Sequence, residues 1–61
     1  MINPDQAVKG VKVQTHPDGP VLTIKYAWGR YAAVEIVNDD GTRKDMGMCP
    51  MSMLDLWEGE G

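Results

Sequence analysis

Apolar and polar residues alternate along most of the chain, which is the pattern of half-buried β-strands. The alternation is clearest in residues 11–14 (VKVQ), 22–26 (LTIKY) and 31–37 (YAAVEIV). A fourth alternating stretch contains Met46 and Met48. The residues predicted to face inward are Val11, Val13, Leu22, Ile24, Tyr26, Val34, Ile36, Met46, Met48, Met53, Leu54 and Leu56.

Three groups of turn-forming residues separate these stretches: HPDGP at 16–20, AWGR centred on Gly29, and NDDG ending at Gly41. Side-chain parity sets the length of the last loop, because a slip of one residue moves every side chain to the other face. A three-residue loop, Asp39–Gly41, keeps apolar residues together and places Gly41 in the left-handed region.

That register pairs Val34 with Met46 and Ala32 with Met48. The same parity argument makes residues 28–30 the preceding three-residue loop, with Ile24 opposite Val34.

The last part of the chain predicts a turn and a brief closing strand. Pro50 ends the fourth strand, Ser52 caps a single helical turn, and Leu54, Leu56 and Trp57 follow. We therefore expect an all-β fold, a small SH3-like barrel of about five antiparallel strands with a single helical turn before the last strand. It would span residues 9–57, between a flexible N-terminal segment 1–8 and a flexible C-terminal tail 58–61.

Short motifs of the chain resemble the small YodC-like family of bacterial and phage proteins. Three elements of the family pattern carry the likeness: a Gly-Pro-x-Met-Thr-Val start, an aspartate-glycine turn and a closing Phe-Pro-x-x-x-Leu. The matching residues are Gly19, Pro20, Leu22, Thr23, Ile24, Gly41, Pro50 and Leu54. Cys49 stands where the family tends to place phenylalanine. The resemblance implies no established activity and no catalytic residues.

Composition narrows the classes of function. A chain of 61 residues is one domain with little room for a deep pocket. Its net charge of -3 argues against nucleic acid as a partner, because such binding needs a basic surface. A single cysteine excludes an internal disulfide, and no signal peptide or apolar stretch long enough for a bilayer is visible. We expect a cytoplasmic protein that does not bind membranes.

Catalytic and metal-binding residues are sparse. His16 beside Asp18 in the turn at 16–20 would need a nucleophile such as Cys49 close by, so we predict that the chain is not an enzyme. Thioether and thiolate groups are ligands for copper(I). The candidates are Met46, Met48, Cys49, Met51 and Met53. We interpret the alternating methionines as core residues, and predict neither a metal nor a cofactor.

The aromatic residues give the better functional indication. Trp28 lies at a predicted loop tip with Lys25, Arg30 and Tyr31 near it, and these residue types are enriched at interface hot spots. Trp28 either is exposed there or folds over the barrel mouth. The leading hypothesis is a non-catalytic module that binds a protein partner, or itself as a homo-oligomer, through this loop and a strand edge. The alternatives are a phage-type protein that sequesters a small ligand or soft metal, and, disfavoured by charge, a nucleic-acid binder.

Overall fold

The fold is an antiparallel five-stranded sheet with two short 3-10 turns, and the computed structural model describes residues 1–58. The elements in chain order are a 3-10 turn at Pro4–Gln6, β1 at Lys12–Gln14, β2 at Leu22–Trp28, β3 at Tyr31–Val37, β4 at Arg43–Pro50, a 3-10 turn at Met51–Met53 and β5 at Asp55–Leu56. In the sheet the strands follow the order β4-β3-β2-β1-β5. The predictions of an all-β fold and of a helical turn before the last strand are confirmed.

The sheet is open. β4 and β5 form its two edges, and no strand pairing joins them within residues 1–58. A barrel requires its outermost strands to pair. The sheet of residues 1–58 therefore does not show the closure that the predicted SH3-like barrel needs. Residues 59–61, which belong to the predicted tail 58–61, lie outside the described residues.

The hydrophobic core lies against one face of the sheet and is completed by segments from both ends of the chain. Its buried members are Ile2, Ala7, Val13, Leu22, Ile24, Ala32, Val34, Met51 and Leu54. The backbone N–H of Ile2 donates to the carbonyl of Met51 at 3.4 Å, which ties the first residues to the second 3-10 turn. The core therefore reaches into segment 1–8, from which the sequence pattern predicted no core residue.

The loop between β3 and β4 has the predicted length. The N–H of Asn38 donates to the carbonyl of Thr42 at 2.8 Å, which leaves residues 39–41 as the loop. Gly41 has a φ of +88°, as the bulged register requires. The carboxylate of Asp40 accepts the Thr42 hydroxyl at 2.6 Å and the Thr42 N–H at 3.0 Å. These hydrogen bonds lower the pKa of Asp40 because they favour the charged form.

Gly41→Val is expected to lower the free energy of unfolding by about 1–3 kcal/mol, because a β-branched residue is strained at positive φ. A Cβ at this position would meet no atom within 4 Å, so the cost comes from the backbone alone. Gly41→Asn is the matched control, since asparagine tolerates the left-handed region. Urea unfolding of both variants measures the difference. Equal stabilities for valine and asparagine would contradict the assigned turn.

The turn between β2 and β3 is one residue shorter than predicted. Trp28 pairs directly with Tyr31, so Gly29 and Arg30 alone form the turn. Gly29 has a φ of +62° whereas Arg30 does not have a positive φ, which is the combination a type II′ hairpin turn requires. The predicted three-residue loop at 28–30 is therefore wrong.

A β-bulge in β2 explains how Ile24 nevertheless lies opposite Val34, as predicted. The register shifts between Ile24 and Tyr26, which leaves Lys25 as the extra residue. Beyond the bulge, Tyr26 pairs with Ala33 and its side chain is 53% exposed. The prediction that Tyr26 faces the core is wrong, because the bulge changes the parity of the strand.

A second bulge changes the parity of β4. Glu35 pairs with Asp45, but Val34 pairs with Gly47, so Met46 is the extra residue. Gly47 has a φ of +80°, and its N–H donates to the side chain of Asp45 at 2.9 Å. This bulge uses a conformation that is readily available only to glycine.

The second bulge also places the strand methionines at the surface. Met48 pairs with Ala33 rather than with Ala32, and Met46 and Met48 are 43% and 42% exposed. The prediction that both face the core is wrong. Two further residues predicted to face inward, Met53 and Leu56, are also exposed, because the closing segment is too short to keep a strict alternation.

The turn that follows β4 is capped differently from the prediction. Its N-cap is Pro50, without a side-chain hydrogen bond, so Ser52 does not cap it. Pro50 is the last residue of an edge strand, where proline is tolerated because it lacks only an outward donor. The N–H of Leu54 donates to the carbonyl of Met51 at 3.1 Å, and the turn thereby directs Leu54 into the core.

The seam between β1 and β5 involves the second tryptophan. The N–H of Trp57 donates to the carbonyl of Lys12 at 3.0 Å. The Lys12 ammonium lies 5.2 Å from the centroid of the Trp57 ring, within the range of a cation–π interaction. Trp57 is half-buried at this seam.

Candidate functional site

The face of the sheet opposite the core carries a group of exposed apolar side chains. Strand pairing aligns Trp28, Tyr31 and Pro50 in one row across β2, β3 and β4. An adjacent row contains Tyr26, Ala33 and Met48. We name as the aromatic face the exposed side chains of Tyr26, Trp28, Tyr31 and Met48.

Ala33 shows that the aromatic face is continuous. It alternates with the core residues Ala32 and Val34, so its side chain lies on the opposite face. It is nevertheless buried, although it does not belong to the core cluster. The larger side chains beside it, Tyr26 and Met48, flank it in the same row.

The aromatic face is strongly exposed. Trp28 is 80% exposed, and Tyr26, Tyr31 and Met48 are each about half exposed. With about 150–250 Å² for each fully exposed aromatic side chain, the aromatic face presents on the order of 400–500 Å². Contiguous apolar patches of this size on small proteins are frequently functional.

Two ion pairs border the aromatic face. Lys25 Nζ lies 3.5 Å from Asp45 Oδ2, and Arg43 Nη1 lies 3.6 Å from Glu35 Oε2. The pKa of Asp45 is lowered, first by the hydrogen bond from the Gly47 N–H and then by the charge of Lys25. Because both pairs are open to solvent on at least one side, each adds little to stability.

An apolar cleft of about 440 Å³ opens at one end of the aromatic face. Tyr31 belongs to both, and Arg30 stands beside it in the cleft wall. We name it the Arg30 cleft. Its lining residues are Met1, Ile2, Pro4, Gly29, Arg30, Tyr31, Pro50, Met51 and Ser52.

The four residues predicted to bind a partner occupy neighbouring positions. Trp28 and Tyr31 pair across the hairpin. Trp28 is exposed, which is the first of the two predicted alternatives, and does not fold over a barrel mouth. Lys25 is the bulge residue and is paired with Asp45. Arg30 lies in the turn, is among the residues that line the cleft, and forms no ion pair within residues 1–58.

Sequence reasoning missed Tyr26 and Met48 as members of this surface. Parity predicts both in the core, and a bulge moves each of them to the surface. For Met48 the signal was present, since an isolated glycine such as Gly47 within a strand indicates a bulge. For Tyr26 no comparable residue marks the bulge at Lys25.

The cysteine and methionine residues do not form one ligand set. Met48 and Cys49 are successive residues of β4, so their side chains point to opposite faces. Met51 is buried in the core, whereas Met53 is exposed. Among residues 1–58, no group of three or more His, Cys, Asp or Glu side chains is arranged to hold a metal ion. His16 is exposed in its turn.

Comparison of the chain with protein families, curated proteins and solved structures finds no significant match. Within the described part of the chain, no helix has the length and apolar character needed to cross a membrane.

Proposed function

We propose that the chain is a non-catalytic interaction module that binds a protein partner, or a second copy of itself, through the aromatic face. The observation that carries this proposal is the 80% exposure of Trp28 beside the exposed Tyr31. Burying such side chains against a partner removes their apolar surface from water, and tryptophan and tyrosine are enriched among residues that dominate binding energy.

The geometry of the edge strands favours the face over the edge as the binding surface. β4 has a bulge at Met46, and the N–H of Gly47 donates to the carboxylate of Asp45. Pro50, at the end of the strand, has no backbone N–H to donate. Each of these features interrupts the row of backbone groups that an added strand would need. The opposite edge, β5, has only two residues. We therefore place the contact on side chains of the face.

We further propose that the sheet curls into an SH3-like arrangement and that the chain belongs to the YodC-like family. The strand order, in which β1 pairs with both β2 and β5, supports a curled SH3-like arrangement that a fifth pairing would close. Membership of the YodC-like family rests on the short motifs at Gly19-Pro20, Gly41 and Pro50.

Trp28→Ala is expected to weaken partner binding by about tenfold or more, the effect of removing a hot-spot side chain. Its fold should persist, because Trp28 contributes little to the core. The measurement compares proteins retained from extract of the source cells by immobilised wild type and variant, quantified by mass spectrometry. Sedimentation over a range of concentrations tests self-association with the same two proteins.

Leu56→Ala is the matched control, because it shortens an exposed apolar side chain on β5, at the opposite edge of the sheet. It should retain the partner and the oligomeric state of wild type. Equal behaviour of wild type and Trp28→Ala in both assays would contradict the proposal.

A further inference from the structure

The Arg30 cleft is built where three segments of backbone meet at Met51. The N–H of Met51 donates to the carbonyl of Arg30 at 2.9 Å, and the carbonyl of Met51 accepts the N–H of Ile2 at 3.4 Å. The β2–β3 turn, the second 3-10 turn and the N-terminal segment are thus held together by main-chain hydrogen bonds. Ile2 and Met51 are both buried, so the base of the cleft is fixed by the core.

The walls of the cleft are mostly apolar. Pro4, Tyr31 and Pro50 contribute apolar surface, and Arg30 and Ser52 contribute polar groups. A volume of about 440 Å³ lies within the range of about 300–1,000 Å³ that is usual for binding pockets. An apolar pocket with a few polar groups is suited to one apolar group that is attached to a polar neighbour.

Arg30 is the charged group of the cleft that has no ion-pair partner among residues 1–58. Lys25 and Arg43, the cations that border the aromatic face, are paired with carboxylates, whereas Arg30 makes no ion pair within residues 1–58. Met1 also lines the cleft, but its amino group forms a salt bridge with the carboxylate of Asp55. A free guanidinium beside an apolar cavity is complementary to a carboxylate, which it binds through two parallel hydrogen bonds.

We infer that the Arg30 cleft anchors an extended acidic segment of a partner protein: one large apolar side chain enters the cleft, and a carboxylate close to it in the segment binds Arg30. The inference rests on the proposed function, because it names the chemistry of the partner that contacts the aromatic face. Tyr31 belongs to both surfaces, so one segment can continue from the cleft across the face.

A carboxylate fits this environment better than a phosphate group does. Among residues 1–58, Arg30 is the cation of the cleft wall without a carboxylate partner, whereas the Met1 ammonium is paired with the carboxylate of Asp55. The Met1 ammonium and the Asp55 carboxylate offset each other, so a dianion would meet only the net positive charge of Arg30. A single negative charge is matched by the single guanidinium.

The test measures binding of short fluorescent peptides by anisotropy. The first peptide has a central leucine flanked by aspartates, the second replaces the aspartates with lysines, and the third replaces the leucine with alanine. We expect saturable binding of the first peptide only. Its affinity should fall at about 1 M salt, where the screening length is about 3 Å.

Arg30→Gln removes the charge of the cleft, and Lys44→Gln is its matched control. Lys44 is an exposed cation of β4 that makes no ion pair within residues 1–58, so both variants change the net charge equally. Arg30→Gln should lower the affinity for the first peptide by about tenfold, whereas Lys44→Gln should leave it near the wild-type value. Amide NMR shifts on titration should concentrate at Ile2, Arg30, Tyr31 and Met51.

Absence of saturable binding at about 1 mM peptide, equal binding of the lysine peptide, or an unchanged affinity in Arg30→Gln would each overturn the inference. The proposed function is judged separately by Trp28→Ala. If Trp28→Ala loses the cellular partner while Arg30→Gln keeps it, the aromatic face stands as the binding surface and the cleft does not serve as its anchor. If both variants keep it, the proposed function fails as well.

Discussion

Ile2→Ala is expected to lower the free energy of unfolding by about 2–5 kcal/mol, the cost of removing a large side chain from a packed core. Ile2 is 1% exposed and belongs to the core cluster, although it lies outside the sheet. A domain of this size has a total stability of about 3–9 kcal/mol at the usual value per residue. The variant should therefore lose a large share of the total stability.

Val8→Ala provides the control for Ile2→Ala. Val8 belongs to the same segment, but it is about half exposed, so its truncation should cost less than about 1 kcal/mol. Urea unfolding followed by circular dichroism gives both values. Two variants with the stability of wild type would mean that the N-terminal segment is not packed against the core.

Leu54→Ala should also lower the free energy of unfolding by about 2–5 kcal/mol, because Leu54 is fully buried at the end of the second 3-10 turn. Leu56→Ala removes the same atoms two residues later, from a side chain that is 39% exposed. Leu56→Ala should therefore lower the free energy of unfolding clearly less than Leu54→Ala does. The pair tests whether the turn at Met51–Met53 directs the last segment as described.

The thermal midpoints of the two leucine variants can be compared directly, because a loss of 1 kcal/mol lowers the midpoint by about 4–8 °C in a domain this small. A larger loss for Leu56→Ala than for Leu54→Ala would show that the closing segment has the opposite orientation.

The strands themselves were predictable because their alternation is regular. The same holds for the loop at residues 39–41, where parity and Gly41 agree. The two bulges were not predicted, since a single extra residue leaves the alternation on each side intact, and only the bulge at Met46 is marked by a glycine, Gly47. Their effect is large: each one transfers the following residues of its strand to the other face.

The N-terminal contribution to the core was missed for a different reason. Ile2 and Ala7 are isolated apolar residues in a stretch without strand periodicity, around a single 3-10 turn at Pro4–Gln6. Pattern reasoning detects regular elements. It does not detect one side chain that fills the end of a core because its backbone is bonded to a distant turn.

The candidate site was predicted in part. Trp28 and Tyr31 were recognised from residue type and from their place beside a glycine turn, and they lie side by side. Tyr26 and Met48 joined them through the bulges, and the Arg30 cleft depends on contacts between Ile2 and Met51. Such contacts join residues far apart in the chain, which local sequence patterns do not encode.

The seam between β1 and β5 holds Trp57 in an environment different from that of Trp28, so the two tryptophans report on different events. Trp57 is half-buried beneath the Lys12 ammonium, so its emission depends on whether the closing segment is in place. Trp28 is surrounded by water in the free protein, so its emission should resemble that of free indole until a partner covers it. In Trp28→Ala the remaining fluorescence reports folding alone, and the difference from wild type isolates the signal of the aromatic face.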